Sequence, residues 1–283
     1  MKSSGFKAVA LLGLVASVVC HTVYRLYFID TVAGFLECAP LLKYLYYIVM
    51  AGASLVVLLK AFTAPLPEDP MSGGRVASQL IVIWVGIMAV ALSVVMVTEV
   101  IALLPSDEVT MGSKVSHIVG VPLSLVGGLA LVYAGYDYTN LSTRNKKASF
   151  ALLGAAMQTY MLLYRFPEML EVTTAPTQTL ELFYLLSAAL FMLFWARTLS
   201  GEATSRQNRL TYMAGSATAI LGISYLAGEL AMRFFLSDVL PVNQVPLLSM
   251  LMMASMSVMA FNFVIGSFPR RGLHRNGTAI PNE

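Results

Sequence analysis

The sequence predicts an all-α, polytopic membrane protein: eight transmembrane helices paired as four helical hairpins, with the N and C termini cytoplasmic. Three observations predict it. Of 283 residues, 58% are hydrophobic and only 12% charged, about half the charged share of an average soluble domain. Eight apolar stretches, each near the roughly 20 residues that a bilayer requires, take up most of the chain. Lysine and arginine are also shared unevenly between the two sets of connections, which fixes an orientation.

The stretches run roughly over 7–28, 41–61, 77–104, 115–135, 148–170, 179–199, 210–236 and 246–267. Each is apolar on all sides rather than along one stripe, as helices facing lipid and one another must be. The first follows Lys2 and Lys7 and looks like a signal peptide. Its run is long, however, and no small-x-small cleavage site closes it, so it is expected to stay as an anchor helix. The longest gap, Thr63 to Arg75, is too short for a soluble domain. The whole of 1–283 therefore reads as one integral membrane domain in the cell membrane, closed by a cytoplasmic tail at 268–283. Walker, Rossmann, HExxH and GxSxG patterns are all missing. Membrane lipids are the expected surroundings, a nucleic-acid partner is not expected, and chemistry that needs an aqueous domain has to come from another subunit.

Orientation follows from the charges. One side collects Lys2, Lys7, Lys60, Arg75, Arg144, Lys146, Lys147, Arg197, Arg206, Arg209, Arg270, Arg271 and Arg275 against five carboxylates, for a balance of +8. The other side holds five cations and ten carboxylates, for −5. The positive side is expected in the cytoplasm. The Asn140 and Asn276 sequons fall on that side, so glycosylation is not expected, and His274 falls in the basic tail.

The same spans contain a weak repeat. Each odd stretch runs outward, ends in ionisable or aromatic residues, turns through a short acidic loop and returns through an apolar even stretch. Arg25, Glu99, Arg165 and Glu229 recur in this way at intervals of 74, 66 and 64 residues, which predicts a common depth for all four.

Ionisable groups inside a membrane segment are costly and by default face the bundle interior or a wet cavity. Glu99 and Glu229 lie too far from their helix ends for a short carboxylate to reach water easily. Arg25, Arg165 and Arg233 can extend toward the interface. Glu229 and Arg233 stand at i, i+4 with the acid first, the better order for an ion pair within a helix. His21 and Arg25 share the same spacing, and Gln158, Tyr160 and Tyr164 add polar groups to the fifth stretch. These residues form either an ion-pair network that fixes helix packing or a polar pocket for the oxygenated head of a lipid-soluble ligand.

His21 and His117 should lie at comparable depth. A bis-histidine haem on them would require facing imidazoles, and nothing in the spacing makes their helices neighbours, so haem b is not the expected cofactor. A protonatable imidazole beside a ligand head group and a plain helix-end histidine are the other readings. The two cysteines, Cys20 and Cys38, are too few for the four thiolates of an iron–sulfur cluster, so no intrinsic cluster is expected, and Cys20 reads as a small buried apolar residue. The methionines of the last stretch read as adaptable packing.

The run Ala227-Gly228-Glu229-Leu230-Ala231-Met232-Arg233-Phe234-Phe235 resembles a segment of the membrane anchor (C) subunits of dimethyl sulfoxide reductase-type molybdoenzymes, a family related to polysulfide reductase-type anchors. Tyr24-Arg25 through Ile29-Asp30-Thr31-Val32, followed by a proline, is similar to a mid-chain loop of those anchors, and Tyr164-Arg165 with Pro176 echoes it. The resemblance covers about 40 residues in short pieces. In the enteric anchors the Ala-Gly-Glu segment lies in the last helix and the N-terminus outside; here another apolar stretch follows, the N-terminus is expected inside, and the family's Leu-His-Leu-Gly segment is missing.

The resemblance implies an anaerobic respiratory subunit, either non-catalytic or itself quinol-oxidising. It would take menaquinol as substrate in the outer half of the bilayer and pass electrons to an iron–sulfur subunit and a molybdopterin catalytic subunit on the extracytoplasmic side. Glu99 and Glu229 would then accept protons, His21 or His117 would bond a quinone oxygen, and Tyr164, Arg25, Arg165 and Arg233 would line, tune or dock. Two other classes fit the composition. A small-solute secondary transporter would use intramembrane charges beside a broken helix, for which Pro122 with Gly120, Gly127 and Gly128 is the only sequence sign. A membrane sensor module would need an output domain that the short inner loops do not offer.

Overall fold

The computed structural model describes residues 2–28, 38–63, 76–105, 111–136, 143–170, 176–201, 203–235 and 247–266. The tail at 268–283, His274, the Asn140 and Asn276 sequons and the connection 64–75 lie outside the described residues. Among the described residues there are eight helices and no strand: α1 (Lys2–Tyr27), α2 (Pro40–Thr63), α3 (Val76–Leu103), α4 (Met111–Gly135), α5 (Arg144–Leu170), α6 (Pro176–Leu199), α7 (Ser205–Phe235) and α8 (Leu247–Gly266). Seven are long and apolar enough to cross a membrane, which makes the chain a polytopic helical membrane protein. The eighth, α5, falls below the others in hydropathy because its run contains Gln158, Thr159, Tyr160, Tyr164 and Arg165.

Several helices begin earlier than the apolar stretches suggest, because a polar turn can be helical once it is capped. Before α7, the backbone N–H of Thr204 donates to Gln207 Oε1 at 2.8 Å, and the Gln207 N–H donates to Thr204 Oγ1 at 3.3 Å. This reciprocal capping box starts the helix at Ser205, five residues ahead of the apolar run.

Helices α3 to α8 close into a ring: each packs on the next, and α8 returns to α3. Asn262 on α8 donates to Ser78 on α3 at 2.8 Å across that closure. Helices α1 and α2 pack on each other and on α7, outside the ring. A small apolar cluster of Ala10, Leu14, Val57 and Ile220 fills the junction. Gly13 is required there, since a Cβ would stand 2.5 Å from the Val57 side chain.

Within the ring, the backbones of α3 and α4 touch at a pair of glycines. A Cβ on Gly86 would meet the Gly128 carbonyl oxygen at 2.6 Å, and one on Gly128 would meet the Gly86 oxygen at 2.8 Å. Small residues that let backbones touch take the place of the hydrophobic effect, which does little between helices in lipid. The glycines of α4 therefore serve packing, and the helix continues through Pro122 without a break. The interruption expected of a transporter is not there, because the helices on either side supply the contacts that hold a proline-bearing helix together.

At one end of the bundle, cations cap neighbouring helices. Arg144 Nε donates to Leu199 O at 3.1 Å, Arg209 Nη1 donates to Phe62 O at 2.7 Å, and Lys147 Nζ donates to Tyr136 O. These carbonyls at the C-terminal ends of α6, α2 and α4 have no partner within their own helices and carry the negative end of the helix dipole.

Candidate functional site

The opposite end, where α1, α3, α5 and α7 finish, holds the costly charges. Arg25 on α1 reaches α7, where its Nε and Nη2 donate to Glu229 Oε1 at 3.1 and 3.0 Å. Both side chains are buried, at 7% and 8% exposure. In an interior this dry, attraction between the charges has to offset the desolvation of both.

A second pair joins α5 to α6. Arg165 Nε and Nη2 both donate to Glu181 Oε1 at 3.2 Å. Glu181 is buried, and its other oxygen accepts from the Tyr225 hydroxyl at 3.3 Å. Tyr225 and Glu229 stand one turn apart on α7, so the two ion pairs flank one tyrosine. Arg165 is more exposed than the other three charges.

The second pair opens onto a cavity of about 190 Å³ among α3, α5, α6 and α8. Its polar wall includes Glu99, Gln158, Tyr164, Arg165 and Glu181, and its apolar wall includes Leu92, Met96, Met161, Leu185, Met252 and Met253. Methionine thioethers make such a wall adaptable in shape.

Each of the two membrane histidines bonds a tyrosine. On α1, His21 is fully buried, its Nδ1 lies 2.9 Å from the Tyr46 hydroxyl, and its other edge packs on Gly228, where a Cβ would come within 2.7 Å of the ring. On α4, His117 Nε2 lies 2.6 Å from the hydroxyl of Tyr164 on α5. The helices that carry them pack on different neighbours, α1 on α2 and α7, and α4 on α3 and α5. Both cysteines are free thiols.

The structure thus brings Glu99, Tyr164 and Arg165 to one cavity and gathers His21, Arg25 and Glu229 at the interface of α1 and α7. His117 stands behind Tyr164. Glu229 forms an ion pair with Arg25 across the interface, and Arg233 lies a turn further along α7. The contact joins two buried charged groups from different helices, so each offsets part of the other's desolvation. A chain of contacts from Arg25 through Glu229, Tyr225, Glu181 and Arg165 to the cavity that Glu99 also lines places all four repeating residues at one end.

Glu181 and Tyr225 escaped the sequence reading. With the sixth stretch starting at 179, Glu181 looks like an interfacial carboxylate; with α6 starting at Pro176 it sits more than a turn inside. Pro176 was the available signal, since proline favours the first position of a helix. No protein-family model, curated protein or solved structure matches this chain.

Proposed function

We propose that the chain is a quinol-binding membrane anchor subunit of a respiratory oxidoreductase in the cell membrane. The observation that carries this reading is the cavity: an apolar, methionine-rich wall faces a wall that holds two carboxylates, a guanidinium, an amide and a phenol. A quinol presents the complementary surface, a flat apolar ring with a hydroxyl at each end. Its oxidation releases two protons and two electrons. Glu99 and Glu181 are the proton acceptors in this reading, and Gln158, Tyr164 and Arg165 hold the oxygens. The buried pair of Arg25 and Glu229 ties α1 to the ring behind that wall, with His21 and Arg233 beside it.

The electrons must leave the chain, whose two cysteines cannot hold a cluster. An iron–sulfur subunit docked at the cavity end takes them and passes them to a molybdopterin catalytic subunit. By the positive-inside rule the capped basic end faces the cytoplasm, the cavity opens in the outer half of the bilayer, and the partners are extracytoplasmic. All eight helices, α5 included, span as four hairpins, and menaquinol is the substrate.

The test is titration of the purified chain with a fluorescent hydroxyquinoline N-oxide, a menaquinol analogue. Saturable quenching that Glu181→Gln and Arg165→Met weaken supports the reading. Quenching that is unsaturable, or identical in both variants, overturns it. Purification in mild detergent from the natural host should also recover iron–sulfur and molybdopterin subunits.

A further inference from the structure

The cavity wall has a second layer at Tyr164. This residue faces the cavity from α5, and its hydroxyl lies 2.6 Å from His117 Nε2. His117 itself does not line the cavity. Its ring stands edge-on to Tyr164, with centroids 4.9 Å apart at 87°. Tyr160, one turn earlier on α5, stacks on Tyr164 with centroids 6.1 Å apart at 22°. Gly120 on α4 leaves room for it, since a Cβ there would stand 2.7 Å from the Tyr160 hydroxyl. One turn before His117, Lys114 Nζ donates to Leu104 O at 3.1 Å, in the turn that ends α3. His117 lies less than two turns from the start of α4 and is half-buried, as is Tyr164, but only Tyr164 lines the cavity.

We propose that Tyr164 and His117 form the proton exit of the cavity, with His117 acting as a relay through Tyr164 rather than as a ligand of the quinone oxygen. This role rests on the cavity being a quinol site. As a bound quinol is oxidised, its O–H bond breaks and the proton passes to the Tyr164 oxygen. The phenol's own proton moves to His117 Nε2, which requires the neutral tautomer protonated at Nδ1. The imidazolium then loses its Nδ1 proton to water at the membrane face, and the pair resets by rotation of the ring and hydroxyl. The two electrons go to the docked iron–sulfur subunit. The relay carries one of the two protons, and the carboxylates of Glu99 and Glu181 take the other. Among the described residues on the helices packed against α4 at this level, the titratable and charged groups are Glu99 on α3 and Tyr160, Tyr164 and Arg165 on α5. On α4 itself, Lys114 is turned to the α3 end.

The experiment uses the purified full chain loaded with 2,3-dimethyl-1,4-naphthoquinol, with a mediated electrode as electron acceptor. Oxidation rate is followed against pH, and affinity is followed separately with the fluorescent quinol analogue. His117→Ala should slow oxidation by about a hundredfold, the scale of a lost proton-transfer group, with affinity unchanged and the rate restored by added imidazole. His117→Gln keeps a hydrogen-bonding group beside Tyr164 but cannot titrate, and should be as slow as His117→Ala. Tyr164→Phe should also be slow, and imidazole should not rescue it. Wild-type rate and pH profile in His117→Gln overturn the relay while leaving the quinol site standing. Loss of analogue affinity in both His117 variants overturns it too, by making the residue part of the binding wall. Failure of the wild-type chain to bind the analogue overturns the quinol reading and the relay with it.

Discussion

The Arg25 guanidinium on α1 and the Glu229 carboxylate on α7 meet at 3.0 Å, although 204 residues separate them in sequence. The contact joins the pair of helices outside the ring to the helix that has neighbours on both sides. It also sits one turn from Tyr225, whose hydroxyl bonds the carboxylate on the cavity wall. Removing one partner of such a pair leaves a buried charge alone, at a cost of about 3–5 kcal/mol. Arg25→Met or Glu229→Leu should therefore each lower the thermal midpoint of the chain in detergent, followed by helical circular dichroism. The double variant Arg25→Met/Glu229→Leu removes both charges and should recover most of the loss. A double variant as unstable as the sum of the single ones would show that the two residues act independently.

The cavity makes a different demand on its own pair. Glu181 accepts from both Arg165 and Tyr225, so Glu181→Gln keeps the shape and removes the charge. Hydrogen bonds to charged groups contribute about 1.5–3 kcal/mol. The quinol analogue should thus bind roughly tenfold or more weakly to Glu181→Gln, since each tenfold corresponds to about 1.4 kcal/mol. Met252→Ala on the apolar wall should lower affinity less, because neighbouring methionines can fill the space. Equal losses in the two variants would mean that the site recognises apolar volume alone.

How much of this was legible in the sequence depends on what each residue's position had to reveal. Eight helices were, because an apolar run of about 20 residues has few other folds open to it. That Arg25, Glu99, Arg165 and Glu229 share one end was also legible, since their spacing follows the length of two helices and their turns. The pairing of Glu229 with Arg25 was not. The i, i+4 rule relates Glu229 to Arg233 along one helix, whereas Arg25 comes from a helix whose position only the three-dimensional packing determines. Glu181 was hidden by a helix start placed three residues late, which turned a buried carboxylate into an interfacial one. Gly120 and Gly128 read as hints of a broken helix because a close helix contact and a helix break draw on the same residue.

The contact of α3 with α4 can be tested through a pair of glycines that differ in surroundings. A Cβ at Gly86 would press on backbone atoms, the Gly128 oxygen at 2.6 Å and the Val132 nitrogen at 2.7 Å. Neither can rotate away, so Gly86→Ala forces the helices apart, a change of the kind that costs about 1–3 kcal/mol in packed interiors. At Gly52 on α2, nothing lies within 4 Å of the Cβ position. Gly52→Ala should leave the thermal midpoint unchanged or slightly raised, since alanine is the better helix former. Equal behaviour of the two variants would be incompatible with the α3 and α4 backbones touching.

The basic end has a role in stability as well as in orientation. Arg144 is buried, and its Nε bonds the Leu199 carbonyl, which ends α6 just before Gly201 turns the chain with φ of 80°. Arg209, itself half-buried, does the same for Phe62 at the end of α2, but in a bond that is exposed to solvent. The same substitution at the two sites should therefore differ in effect. Arg144→Met leaves a buried carbonyl without this donor, which costs about 1–3 kcal/mol, whereas Arg209→Met exposes its carbonyl to water and falls in the range of a surface dipole contact, roughly 0.3–1 kcal/mol. Added salt separates the mechanisms further, because screening weakens the exposed contact far more than the buried one. Thermal midpoints measured at low and high ionic strength should show the wild-type advantage over Arg209→Met shrinking with salt and the advantage over Arg144→Met persisting. Two advantages that shrink together would mean that both cations act through long-range charge alone and that the hydrogen bond to Leu199 adds nothing.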